Sequence, residues 1–146
     1  MAGKAVRHLE EDATLAVVRK ADLFLQRVTD LLKPYGLSPT QYNVLRILRG
    51  AGEGGVSCKD IGSKLIARDP DITRLMDRLE KRGLLTRGRD QDDRRVVTHL
   101  LTGEGLALVN ELDQPVQALH RATMRGVAPA RLQTLIAILE EIKIEN

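Results

Sequence analysis

The sequence predicts a mainly α-helical protein with one small β-hairpin. Three observations carry this. Long stretches without Gly or Pro place apolar residues three and four positions apart, the period of a helix. Ser38, Ser57, Asp69 and Thr102 stand directly before such stretches, where a short polar side chain caps a helix start. Residues 84–101 alone show two short apolar runs around a polar, turn-rich tip. The composition agrees: one Phe, two Tyr and no Trp in 146 residues leave little of the aromatic content that sheets favour.

The elements follow in order. Residues 11–32 hold no Gly or Pro, and Val17, Ala21, Phe24, Val28 and Leu31 form a seam with steps of four and three. Val18, Leu25 and Leu32 add a second stripe at spacing seven, widened by Leu15 and Leu23. A helix apolar on more than one side needs two partners, one in its own chain and one in a second subunit. Lys33-Pro34-Tyr35-Gly36 stops it. In Leu37-Ser38-Pro39-Thr40-Gln41-Tyr42, Ser38 caps the next helix, Pro39 opens it and Gln41 completes a capping box, with Leu37 and Tyr42 as a staple. That helix runs to about Arg49 and ends at glycines 50, 52, 54 and 55. Ser57 caps a short third helix reaching about Ala67, with Asp60 at its third position. After Arg68, Asp69 caps and Pro70 opens a fourth helix. Its Ile72, Leu75, Met76 and Leu79 face inward, and Gly83 stops it. Strands 84–87 and 96–101 enclose the tip at 88–95. Thr102 caps a helix reaching about residue 124, bent at Pro115. Pro129 opens the last helix, with Leu132, Leu135, Ile136, Leu139 and Ile142 along one side.

Two helices across a tight break, the second with a polar exposed start, make a helix-turn-helix, and the charged hairpin directly after it makes this a winged one. In such a unit the inner face anchors the second helix while its exposed first turns enter a major groove. Arg there pairs bidentately with guanine, and Thr meets base edges or a thymine methyl. An Arg at a hairpin tip suits the negative potential of a narrow minor groove. The charge distribution fits a nucleic-acid footprint: of a net +3, residues 64–102 hold ten basic against seven acidic side chains, and residues 103–146 hold four against six. The missing aromatics argue against single-strand binders that stack bases on rings.

Catalysis finds no support. No nucleophile–base pair is readable from spacing, no phosphate-loop pattern occurs, and His8, His99 and His120 lack paired metal-ligand spacing. The expectation is a protein that is no enzyme and carries no metal or cofactor. A single cysteine, Cys58, excludes an intramolecular disulfide and fits a reducing compartment. No signal-peptide core and no run near ~20 apolar residues is present, so a cytoplasmic protein without a membrane span is expected.

Residues 93–102, Asp-Arg-Arg-Val-Val-Thr-His-Leu-Leu-Thr, match a D-x-R-x5-L-T signature through Asp93, Arg95, Leu101 and Thr102. In this the chain resembles the MarR-type winged helix-turn-helix regulators. Residues 73–84 resemble that family's recognition helix and its exit, and residues 37–42 its second-helix start. The resemblance covers about residues 11–144. It implies a homodimeric transcriptional regulator, most often a repressor, on a pseudo-palindromic double-stranded DNA operator. Residues 11–35 and 103–146 would form a helical dimerisation region. Residues 37–102 would form the winged domain, with the recognition helix at 70–82 and the wing at 84–101.

By matching position, Asp71, Thr73, Arg74 and Arg78 face the groove, with Thr73 and Arg74 on bases. Asp71 also reads as a charge at the helix N-terminus interacting with the dipole. Arg95 is the minor-groove arginine, and Asp93 holds its side chain or braces the wing. Arg87, Arg89 and Arg94 would meet phosphates, and Gln41, Ser57 and Lys59 sit at helix starts where N–H groups also bind phosphate. The resemblance further implies release by a small-molecule effector bound between the dimerisation helices and the winged domain. With so few rings, such a pocket would be aliphatic, and Phe24, Tyr35 and Tyr42 are its candidate aromatics. Two alternatives stand beside this reading. One is a winged-helix module for protein–protein contact. The other is a redox-responsive regulator using Cys58, whose place at a helix N-terminus lowers a thiol pKa.

Overall fold

The computed structural model of the chain describes residues 8–145. Helix α1 spans Leu9–Leu32 and ends in a 3-10 turn, Lys33–Tyr35. Helix α2 is Pro39–Ala51, strand β1 Val56–Ser57, helix α3 Cys58–Lys64 and helix α4 Ile72–Lys81. Strands β2 (Leu85–Arg89) and β3 (Val97–Leu101) form the wing, followed by α5 (Gly103–Thr123) and α6 (Pro129–Glu141). The protein is mainly helical with a small antiparallel sheet, ordered β1-β3-β2. The sheet has three strands where the sequence suggested a hairpin. Val56 pairs with His99 and Ser57 with Thr98, so the two residues before α3 seal the free edge of β3.

Local chemistry explains the helix starts. Ser38 Oγ accepts from Gln41 N–H at 3.1 Å while Ser38 N–H donates to Gln41 Oε1 at 2.9 Å, the full capping box. Ser57 and Thr102 cap α3 and α5 by accepting from Asp60 and Gly105 N–H. Two boundaries differ from expectation. The cap of α4 is Asp71, which accepts from Arg74 N–H at 3.3 Å. Asp69 instead accepts from Asp71 N–H and closes a turn around Pro70, leaving Pro70 outside the helix. Helix α3 stops at Lys64, because Leu65 turns extended and Asn43 Oδ1 takes the next N–H, that of Ile66, at 2.9 Å. Helix α5 stays helical through Pro115.

The core lies beneath the sheet. Leu32 of α1, Leu45 and Leu48 of α2, Ile61 of α3, Met76 and Leu79 of α4, Leu85 of β2 and Leu112 of α5 are all buried. Each such side chain stabilises the fold by about 1.5–3 kcal/mol when fully buried. Helix α6 adds no buried residue, and Val17, Val18, Leu135, Ile136 and Leu139 on α1 and α6 are 41–58% exposed. Arg49 joins the winged part to α5: its guanidinium grips both carboxylate oxygens of Asp113 at 2.8 and 2.9 Å and reaches Asn110 Oδ1 at 2.8 Å. Gly105, in the first turn of α5, is buried against Leu84, just before β2, and Leu101 of β3. A Cβ there would stand 2.1 Å from the Leu84 carbonyl oxygen. Among the described residues no helix is long and apolar enough to cross a membrane.

Candidate nucleic-acid interface

The inward face of α4 sets its outward one. Met76 and Leu79 are buried and Ile72 and Leu75 half-buried, which rotates Thr73, Arg74 and Arg78 into solvent. Asp71, at the helix start, is exposed but spends an oxygen on its own cap. A shallow cleft of about 360 Å³ runs beside this face, where Gln41 of α2 meets Asp71, Arg74 and Arg78. Gln41 and Ser57 use side-chain oxygens as helix caps, while Lys59 on α3 is free-standing and exposed.

The wing tip is built from carboxylates. Asp90 Oδ1 accepts from the N–H groups of Asp92 and Asp93, and Asp93 Oδ1 accepts from both the backbone N–H and Nε of Arg95 at 3.1 Å. The Arg95 side chain is 92% exposed, so Asp93 holds its base while its head projects into solvent. Arg89 and Arg94 are exposed as well. Arg87 is placed differently: its guanidinium donates to Glu80 Oε2 at 2.7 Å and to Asp77 Oδ1, both on α4.

Three residues that spacing alone did not single out also shape the face. Arg82 donates to the carbonyls of Gly36 and Tyr35 at 2.7 and 3.0 Å, tying the end of α4 to the turn after α1. Asp90 folds the tip. His99 is buried in β3 with its Nδ1 lacking a hydrogen-bond partner among the described residues. Burial pushes the His99 pKa down, against a hydrogen bond to the Val56 backbone that pushes it up. Burial also pushes the Cys58 thiol up, outweighing the nearby Arg87 guanidinium. That is opposite to the lowering a helix N-terminus brings, and it disfavours the reactive thiolate.

The three candidate rings do not share a cavity. Tyr42 lines an apolar cavity of about 210 Å³ with Leu25, Val28, Asn43, Arg46 and His120. Phe24 instead lines a groove of about 510 Å³ between α1 and α6. Tyr35 sits in the 3-10 turn gripped by Arg82.

A polar, exposed recognition helix and an arginine-tipped wing on one scaffold define a winged helix-turn-helix DNA-binding protein. Comparison with known proteins places it more closely. A model described as the MarR family matches residues 37–97. A MarR transcription factor from Planctomyces limnophilus is 36% identical with a TM-score of 0.71, covering 93% of this chain and 98% of that one. The transcriptional regulator YkoM of Bacillus subtilis is 31% identical over 115 residues, 78% of this chain and 73% of its own length. CouR of Rhodococcus jostii RHA1, whose crystal structure holds p-coumaroyl-CoA, is 28% identical with a TM-score of 0.79, covering 95% and 99%. The chain belongs to the MarR family of DNA-binding transcriptional regulators.

Proposed function

We propose that the protein is a homodimeric repressor that reads a pseudo-palindromic operator and is released by a small molecule. The observation that carries the reading face is the pairing of exposed Thr73, Arg74 and Arg78 on α4 with the projecting Arg95 on the wing. Thr73 and Arg74 read base edges in the major groove and Arg95 enters the adjacent minor groove. Arg78, Arg89, Arg94 and Lys59 meet phosphates, joined by N–H groups at the starts of α2 and α3 near Gln41 and Ser57. Asp71 acts chiefly through its cap, and Asp93 through its hold on Arg95.

Dimerisation is supported by the apolar stripes of α1 and α6, too continuous to leave in water. A second copy on those stripes sets two recognition helices about 34 Å apart, one helical turn of DNA. For release, the Tyr42 cavity between α1, α2 and α5 is apolar with Arg46 and His120 at its lining. It suits the carboxylate end of an otherwise apolar effector, which Arg46 would pair. A ligand releases DNA only by binding better to the geometry that does not fit the operator.

The test is in-vitro selection of a binding site from random duplex, then anisotropy titration of wild type, Arg74→Ala and Arg95→Ala. Each variant is expected to weaken binding by about 1–3 kcal/mol. The selected site should be a palindrome. Unchanged affinity in both variants, or affinity indifferent to salt, refutes the assignment, because phosphate contacts release counterions.

A further inference from the structure

We propose that Arg87 is a positioning residue, which locks the wing to the recognition helix instead of contacting phosphate. Three observations lead here. Arg87 lies mid-strand in β2, opposite His99. Its guanidinium is engaged by two carboxylates at once, Glu80 and Asp77, which stand three residues apart on α4. All three side chains are only 37–50% exposed, in contrast to the 92% of Arg95.

The geometry explains why a lock belongs at this place. Only Arg82, Gly83 and Leu84 separate α4 from β2, and Gly83 takes a left-handed φ of +73°, a conformation open to pivoting. The base of the wing is fixed by Thr102, whose Oγ1 donates to Gly83 carbonyl at 2.6 Å and whose N–H donates to Leu84 carbonyl at 3.2 Å. Arg87 supplies a second anchor farther along the strand. Two anchors fix a direction where one leaves a hinge, so the tip with Arg95 is aimed relative to Thr73 and Arg74. Asp77 and Glu80 are like charges at i, i+3, which repel unless a cation lies between them. Arg87 removes that repulsion and mutes two negative charges near the DNA-facing side. Its own charge is engaged by α4.

The inference rests on the interface proposed above, and its test separates the two. Operator affinity of the full-length protein is measured by anisotropy across a salt series for Arg87→Ala, Asp77→Asn/Glu80→Gln, Arg89→Ala and Arg95→Ala. Thermal melts confirm that each is folded, and the isosteric Asp77→Asn/Glu80→Gln chain keeps the test open should Arg87→Ala fail to fold. Asp77→Asn/Glu80→Gln is expected to bind about three- to tenfold more weakly, although it removes two negative charges beside the DNA. Arg87→Ala is expected to weaken binding similarly with an unchanged salt slope, whereas losing a phosphate contact at Arg89 lowers the slope by about 0.9. The loss from Arg95→Ala should shrink in the Asp77→Asn/Glu80→Gln background, since an unlocked wing no longer delivers Arg95. Tighter binding by Asp77→Asn/Glu80→Gln, or a full unit of slope lost in Arg87→Ala, overturns the lock. Indifference of binding to Arg95→Ala in every background overturns the interface and the lock together.

Discussion

Gly105 and Gly103 sit two residues apart in the first turn of α5, yet alanine should act on them in opposite directions. Helix propensity favours Ala over Gly by about 1 kcal/mol at an interior position. At Gly103 a Cβ meets nothing within 4 Å, so Gly103→Ala should be neutral or gain up to about that amount. At Gly105 the new Cβ would stand 2.1 Å from the Leu84 carbonyl oxygen, 2.7 Å from Leu101 Cδ1 and 3.0 Å from the Leu84 carbonyl carbon. Leu101 can rotate aside, but Leu84 O is backbone. It also accepts the Thr102 N–H at 3.2 Å, so the helix and strand must part by roughly an ångström. Overpacking by one methylene costs about 1–3 kcal/mol, and a backbone obstacle belongs at the upper end. Subtracting the propensity gain leaves a net loss of about 2 kcal/mol. For a chain of this size that lowers the melting temperature by about 4–8 °C. The assay is thermal unfolding of both variants and wild type at equal protein concentration, because the proposed dimerisation would couple stability to concentration. A Gly105→Ala chain that melts at or above wild type would show that α5 does not approach the Leu84 backbone as described.

The remaining expectations use simpler measurements. Because burial lowers the His99 pKa, the folded state resists its protonation. The stability tied to neutral His99 is whole above pH 6.5 and is lost as pH falls from there through the folded value, by at most about 1.4 kcal/mol per pH unit. Urea midpoints of wild type and His99→Leu at pH 7.5 and 5.5 should therefore differ by unequal amounts, wild type losing more on the acid side; a constant difference would rule this out. Val17→Asp/Leu139→Asp places charge on the exposed stripes of α1 and α6, and sedimentation should show a shift from dimer to monomer without loss of helix content. Ser38→Ala removes a cap from α2 and should cost about 1 kcal/mol, read as a melting temperature lower by about 2–4 °C.

The parts of this fold legible in the sequence are those decided within four residues. Ser38 with Gln41, Ser57 and Thr102 name their helices because cap and partner are neighbours along the chain. The Asp93–Arg95 pair at the wing tip was suggested by the family resemblance and is likewise a contact between near neighbours. The pattern chose wrongly at Asp69, read as the cap beside Pro70: Asp69 closes a turn instead and the cap falls to Asp71. What lies farther apart was hidden. Strand β1 exists only because residues 56 and 57 meet residues 98 and 99. Arg82 reaches back 46 residues to Gly36, and the partners of Arg87 depend on how the wing leans on α4. The burial of His99, singled out in the sequence only as lacking metal-ligand spacing, likewise depends on the distant packing around β3. In the same way three rings scattered along the sequence suggested one pocket, and the packing of α1 sent Phe24 to one side and Tyr42 to the other.

The grip of Arg49 on Asp113 and Asn110 has a mechanical meaning. It lies near the C-terminal end of α2, whereas Pro39, Thr40, Tyr42 and Asn43, which line the apolar cavity, lie in the first turns of the same helix. Helix α2 is thus gripped by charged groups near its C-terminal end, with the cavity beside its N-terminal turns. Thirteen residues give an arm of about 20 Å, over which a tilt of about 3° moves the N-terminal end by about 1 Å. That end carries Ser38 and Gln41, beside Arg74 and Arg78 in the cleft along α4. A guest of the kind proposed above, too small to reach the DNA-facing side, would shift it through that tilt.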